Sequence, residues 1–144
     1  MSFSVGGVYQ LVNKATGTVA DYSQRDHRSL IGYKSHGAAN QQWEVETVNQ
    51  SKNLYRIKNV KTGDFLSFNG GLSASNPLLS TPNKQEWEIR LQGSSIPQLV
   101  KIYAPNSNYL LDLTGSNAKP GTPVILYPTQ NPGLNQQWKI EPAN

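Results

Sequence analysis

Gln41-Gln42-Trp43, Gln85-Glu86-Trp87 and Gln136-Gln137-Trp138 are three copies of one tripeptide, Gln-x-Trp, and they use all three tryptophans of the chain. The tryptophans stand 44 and 51 residues apart. Upstream of each lies a second matching block: Tyr9-Gln-Leu-Val-Asn13, Tyr55-Arg-Ile-Lys-Asn59 and Val100-Lys-Ile-Tyr-Ala104. Twelve residues after the first position of each block come Asp21, Ser67 and Asp112. One offset kept in three places makes the chain three copies of a unit of about 45 residues. The copies run over about 5–50, 51–95 and 96–144, and a single domain over 1–144 is expected.

Within each copy the apolar residues recur with period two, the signature of half-buried strands. Tyr9 and Leu11, Tyr55 and Ile57, and Val100 and Ile102 alternate with polar neighbours, as do Trp43 and Val45, Trp87 and Ile89, and Trp138 and Ile140. Runs at Leu30-Ile31, Leu78-Leu79 and Val124-Ile125-Leu126 supply a further strand per copy, and segments around Val19, Phe65 and Leu110 another. Gly and Pro punctuate the intervals, and no stretch keeps a helical period over ten residues. The pattern predicts an all-β chain of twelve strands. Three four-stranded units with threefold pseudosymmetry can close on one core and remove most open sheet edges, which is a β-trefoil. In that fold each tryptophan belongs to the core and its Gln satisfies local backbone groups.

Composition agrees and excludes several classes. Of 144 residues, 47 are Asn, Gln, Ser or Thr, while only 15% are charged, so the chain is rich in uncharged hydrogen-bonding groups. With no cysteine there is no disulfide, no thiolate chemistry and no cysteine-built metal centre, and no metal or cofactor is expected. The net charge of +4 is spread without a basic block, so nucleic acid is not an expected partner. No run approaches the roughly 18 apolar residues of a membrane span, so membrane insertion is not expected either. The opening Met1-Ser-Phe-Ser-Val-Gly-Gly7 has neither a basic start nor a long apolar stretch, and a cytoplasmic location is expected. The sequon Asn49-Gln50-Ser51 carries little weight in that setting.

The three Gln-x-Trp motifs, together with Thr18-Val-Ala-Asp-Tyr-Ser23, Asp26-His-Arg-Ser-Leu-Ile-Gly-Tyr33, His36 and Asn40-Gln-Gln-Trp43, resemble the ricin B-type lectins. Over the whole chain the sequence is similar to the small galactose- and N-acetylgalactosamine-binding members from mushrooms and other fungi. The resemblance implies a β-trefoil that binds carbohydrate without catalysis, agglutinates cells and serves in fungal defence. It also implies a site of four elements per live copy: an early Asp, a central aromatic, an Asn before Gln-x-Trp, and the Gln. The first copy has Asp21, Tyr33, Asn40 and Gln41, and the third has Asp112, Tyr127, Asn135 and Gln136. The second has Ser67 and Lys84 in place of Asp and Asn, and no aromatic around Leu79-Ser-Thr81, so it reads as a structural copy without a ligand.

The residue types suit a sugar. A carboxylate only accepts hydrogen bonds and can take two hydroxyl protons, while Asn offers both a donor and an acceptor. Together they fit the 3-OH and axial 4-OH of galactose, whose apolar C–H face packs on Tyr33 or Tyr127. Gln41 and Gln136 are expected to hold the Asp rather than touch the sugar, and His36 and Arg28 to add contacts at the first copy. The expected partners are galactose- or N-acetylgalactosamine-bearing glycans and glycoproteins, with a homodimer as a second route to valence. A glycosidase would need two carboxyls about 5–5.5 Å apart across a cleft, whereas Glu44/Glu46 and Glu86/Glu88 are strand neighbours on one face. Asp26-His27 lacks a nucleophile signature. A β-trefoil protease inhibitor is the runner-up reading, and the binding module of a larger enzyme the third.

Overall fold

Alternating inward apolar and outward polar residues become antiparallel strands in the computed structural model, which describes residues 7–143; the opening stretch up to Gly6 therefore lies outside the described residues. The first copy supplies β1 (Val8–Asn13), β2 (Val19–Tyr22), β3 (Leu30–Tyr33) and β4 (Trp43–Asn49). The second supplies β5 (Leu54–Asn59), β6 (Phe65–Ser67), β7 (Asn76–Pro77), β8 (Leu79–Thr81) and β9 (Trp87–Leu91). The third supplies β10 (Gln98–Tyr103), β11 (Tyr109–Leu113), β12 (Thr122–Pro128) and β13 (Trp138–Pro142). Among the described residues there is no α-helix, only 3-10 turns.

The first and last strands of each copy form a closed ring. β1 pairs with β4, β4 with β5, β5 with β9, β9 with β10, β10 with β13, and β13 with β1. The inner strands make three hairpins, β2–β3, β6–β8 and β11–β12. A six-stranded barrel joined to a triplet of hairpins is the β-trefoil. Among the described residues thirteen strands appear where twelve are expected, because the third strand of the second copy is split at Leu78. The Leu78 N–H goes to the Val124 carbonyl at 3.1 Å, leaving the two-residue β7 to pair with β12 on its own.

The hairpins hook onto one another in a cycle. Ser29 bridges Leu79, Pro77 pairs with Ile125, and Pro123 pairs with Ile31. The start of each third strand thus lies on the next copy, and this handover later decides which residues wall each site. The core gathers Leu11, Ile57, Ile102 and the three tryptophans, all fully buried. Each indole N–H donates to the carbonyl one residue before the Asp or Ser position: Trp43 to Ala20 at 3.1 Å, Trp87 to Leu66 at 2.8 Å, Trp138 to Leu111 at 3.3 Å. The Gln-x-Trp motif therefore fastens the second strand of its own copy at the point where the candidate carboxylate leaves it.

Candidate functional site

Strand register sets the first two elements. Asp21 lies opposite Ile31 and Val19 opposite Tyr33; Asp112 lies opposite Ile125 and Leu110 opposite Tyr127. Asp and Tyr are diagonal neighbours in each hairpin, within reach of one ligand. In the second copy the same register sets Ser67 opposite Leu79 and Phe65 opposite Thr81, so Thr81 holds the aromatic position.

The other two elements sit on a 3-10 turn just before the tryptophan, Ala39–Gln41 in the first copy and Leu134–Gln136 in the third. Asn40 donates through Nδ2 to Asp21 Oδ1 at 3.2 Å and to the Tyr22 carbonyl at 3.1 Å. Gln41 donates through Nε2 to Asp21 Oδ2 at 2.9 Å and to the Lys34 carbonyl at 2.9 Å, while its Oε1 accepts the His36 N–H at 2.9 Å. The third copy repeats this bond for bond. Asn135 donates to Asp112 Oδ1 at 3.1 Å and the Leu113 carbonyl at 3.0 Å; Gln136 donates to Asp112 Oδ2 at 3.0 Å and the Pro128 carbonyl at 2.9 Å, and accepts the Gln130 N–H at 2.9 Å. The expected supporting place of the two Gln residues is what the geometry gives. One expectation changes: both amide protons of Asn40 and of Asn135 are committed within the protein, so neither Asn has an N–H left to donate to a ligand, and the Asn40 side-chain carbonyl is itself buried.

Asp21 and Asp112 are only 3 and 4% exposed. Burial raises both carboxyls above the usual carboxylate range, partly offset by hydrogen bonds from the Gln and Asn of each site and, at Asp21, by His36. Each carboxylate oxygen has accepted one amide proton, which leaves lone pairs on both oxygens for two hydroxyl protons. His36 Nε2 stands 3.7 Å from Asp21 Oδ2, and its ring meets Tyr33 edge-on at 6.0 Å. Asp21, Tyr33, His36 and Asn40 line a depression of about 560 Å³. Asp112, Tyr127, Asn135 and Gln130 line one of about 370 Å³.

The second copy lacks this machinery. Ser67 is fully buried and its hydroxyl bonds Thr81 Oγ1 at 2.6 Å and the Phe65 carbonyl at 3.1 Å. Gln85 turns back to the Glu86 carbonyl at 2.9 Å, and Lys84 is exposed.

Arg28 is not brought to the first depression; Ser23, Gln24 and Arg25 are, together with Pro120 and Gly121 of the third copy. The hairpin cycle explains the difference. His27, Ser75 and Gly121 hold matching places two residues before the inter-copy pairings, and all three have positive φ. Gly121 walls the first site and Ser75 the third. By the same handover, His27 and Arg28 lie toward the second copy, where the Arg28 carbonyl accepts the Ser80 N–H at 2.9 Å.

Two further residues escape sequence reasoning. Asn59 donates to the Asn40 carbonyl at 3.1 Å, and Asn13 to the Asn135 carbonyl at 3.0 Å. Each anchors the Asn of another copy's site. The matching place in the third block is Ala104, which would serve Lys84, so this anchor is missing in the copy that also lacks the Asp and the Asn. That coincidence is visible in the sequence, but its partner is not.

The carboxylates weighed for hydrolysis are engaged elsewhere. Lys58 lies 3.8 Å from Glu44 and 3.9 Å from Glu46, Arg56 lies 3.6 Å from Glu86, and Arg90 bonds Glu88 at 2.9 Å. Asp26 accepts the Arg28 and Ser29 N–H groups and the Ser29 hydroxyl within its own turn. Among the described residues no group of His, Asp or Glu is arranged to hold a metal ion.

A closed six-stranded barrel with three hairpins, two of them carrying a buried carboxylate held by Asn and Gln, defines a β-trefoil of lectin type. The model of the family described as ricin-type beta-trefoil lectin domain-like matches residues 2–80 and 39–127, and the chain belongs to that family. It is similar to the Macrolepiota procera ricin B-like lectin solved in complex with lactose, at 33% identity over 99% of both chains and a TM-score of 0.88. It is similar also to the Rhizoctonia solani agglutinin, at 28% identity over 99% of this chain and 98% of that one, with a TM-score of 0.83. The designed threefold-symmetric protein ThreeFoil shares the fold at 24% identity over 94% of this chain and 98% of that one, with a TM-score of 0.84. Comparison with curated protein sequences gives no match.

Proposed function

We propose that this chain is a non-catalytic lectin for terminal galactose or N-acetylgalactosamine, with one site in the first copy and one in the third. The observation that carries the reading is the joint presence of Asp, Tyr and Asn in the first and third copies, with the Asn and Gln amides bonded alike to Asp21 and to Asp112, and the joint loss of Asp, aromatic and Asn in the second copy, which keeps only Gln85. Parts needed only for folding would persist in all three copies. The open lone pairs of each carboxylate take the 3-OH and 4-OH, and Tyr33 or Tyr127 carries the apolar face of the ring. The lactose complex of the Macrolepiota procera lectin supports a galactose-type ligand. Neither depression holds a second carboxylate at hand for general acid–base work, which favours binding without turnover.

The test is calorimetry with methyl β-galactoside on the wild type and on Asp21→Ala, Asp112→Ala and the double variant. Removing a charge-assisted acceptor costs about 1.5–3 kcal/mol, or roughly ten- to hundredfold in affinity. Two sugars per chain are expected for the wild type, one for each single variant and none for a folded double variant. Binding that survives in the double variant refutes the assignment, and inhibition of trypsin or papain would favour a protease inhibitor instead.

A further inference from the structure

The first and third sites share their four core residues but differ in what borders them. The depression at Asp21 continues into a second one of about 610 Å³, and the two have Ser23, Arg25, Ile31 and Gly121 in common. The depression at Asp112 shares no residue with that second space. The second space lies where the three hairpins meet, and its rim carries the exposed rings of Pro77 and Pro123 from the other two copies. We propose that the first-copy site is a two-unit site. Its Asp21 end takes a terminal galactose-type unit, and the adjoining space takes the next neutral sugar of the glycan.

The inference rests on the lectin reading above and extends it to substrate class. Arg25 stands on the border between the two spaces. It is exposed, and its guanidinium has no ion-pair or hydrogen-bond partner among the described residues. A guanidinium offers five donors and no acceptor, so it matches the bridging oxygen and hydroxyl oxygens of a second unit. Four residues after the carboxylate in the third copy the residue is Ser116, so this cation belongs to the first site alone. Pro77 and Pro123 supply flat aliphatic surface for the C–H face of a pyranose. The other charged group at the rim is Asp26, whose carboxylate is held by Arg28 and Ser29. Arg25 and Asp26 cancel in charge, which favours a neutral unit over an acidic one.

Calorimetry on single-site variants tests this. Asp112→Ala leaves the first site and Asp21→Ala the third. Each is titrated with methyl β-galactoside, lactose, N-acetyllactosamine, melibiose, galactosyl-β1,3-N-acetylgalactosamine and a disaccharide carrying a carboxylate. In Asp112→Ala at least one neutral disaccharide should bind about three- to tenfold more tightly than the monosaccharide, as one or two added hydrogen bonds would give. In Asp21→Ala the ratio should stay below about twofold. Arg25→Ser in the Asp112→Ala background should bring the ratio back toward one. No gain from any disaccharide, an equal gain at the third site, or a gain that survives Arg25→Ser overturns the two-unit site. A larger gain from the acidic disaccharide than from every neutral one overturns the neutral assignment. If Asp112→Ala binds no galactoside at all, the first site itself falls, and the lectin reading of that copy with it.

Discussion

Asn59→Ala should weaken the first site and spare the third, although Asn59 belongs to the second copy. The side chain is fully buried. Its amide donates to the Asn40 carbonyl at 3.1 Å, and its carbonyl accepts the Lys61 N–H at 3.0 Å and the Thr62 N–H at 3.3 Å. Alanine leaves the Asn40 carbonyl without that partner inside the protein, at about 1–3 kcal/mol, and removes the side-chain cap of the Asn59–Gly63 turn, worth about 1 kcal/mol. A loss of roughly 2–4 kcal/mol in stability follows, tolerable for a domain of ordinary stability. The freed turn carries Asn40 and Gln41, which between them hold both oxygens of Asp21. Sugar affinity at the first site should fall by about three- to tenfold, the worth of one hydrogen bond that no longer preorganises the acceptor. Calorimetry in the Asp112→Ala background reads the first site, and in the Asp21→Ala background the third. Asn13→Ala is the mirror control and should affect only the third site, through Asn135. Equal losses at both sites would mark general destabilisation, and an unchanged first site would show that the anchor has no bearing on binding. Either result refutes the reasoning.

Four other outcomes follow from the same geometry. Burial raises both site carboxyls, so galactoside binding, which needs them ionised, should fail on acidification at a higher pH than for a solvated Asp. Stability has the opposite sign: a carboxyl raised on folding contributes below the ordinary range of a solvated Asp and loses that contribution as pH rises through its folded value. The melting temperature of the wild type relative to the double Asp variant should therefore be highest in acid and fall toward neutrality, and the reverse trend contradicts it. Ser67→Ala should leave sugar binding untouched and cost about 1 kcal/mol of stability through the lost Thr81 bond, and a measurable fall in affinity would restore the second copy as a site. The wild type should agglutinate cells through two sites, since multivalent engagement adds about 10²–10⁴ to a weak single-site affinity; a single Asp variant that agglutinates at the wild-type titre, with its mass from light scattering, would assign valence to a homodimer.

The parts legible in the sequence are those tied to local spacing. Gln-x-Trp and the period-two blocks give the trefoil, because each strand must bury alternate residues in one core. Asp21, Tyr33, Asn40 and Gln41 fall within 21 residues of one another, and their repetition in the third copy makes them stand out. What escapes is whatever crosses between copies. Gly121 at the first site, Ser75 at the third, and the bond from Asn13 to Asn135 depend on hairpins that pass from one copy to the next. Arg28 and Arg25 are close in sequence, yet the turn organised by Asp26 separates them to different copies' sides. The commitment of the Asn amide protons is likewise invisible, because the Tyr22 and Leu113 carbonyls that take them are set by tertiary placement.

The same geometry separates what folds the chain from what it presents. Each tryptophan bonds the carbonyl beside the Asp or Ser position in all three copies, so the second strand is fixed whether or not a carboxylate follows it. At Ser67 there is no carboxylate, and the hydroxyl in its place is absorbed into a bond with Thr81 inside its own hairpin. A copy can therefore lack the carboxylate at little cost to the barrel. The converse does not hold. A working site needs its Asn anchored from the next block and its rim walled by the preceding copy's turn, so Asp21 depends on Asn59 of the second copy and on Gly121 of the third. Folding asks each copy to obey one local rule, while binding asks three copies to agree at one place. Substitutions between Gln-x-Trp motifs are thus free to extinguish or reshape a site singly, and the differing borders of the sites at Asp21 and Asp112 are the form such divergence takes in this chain.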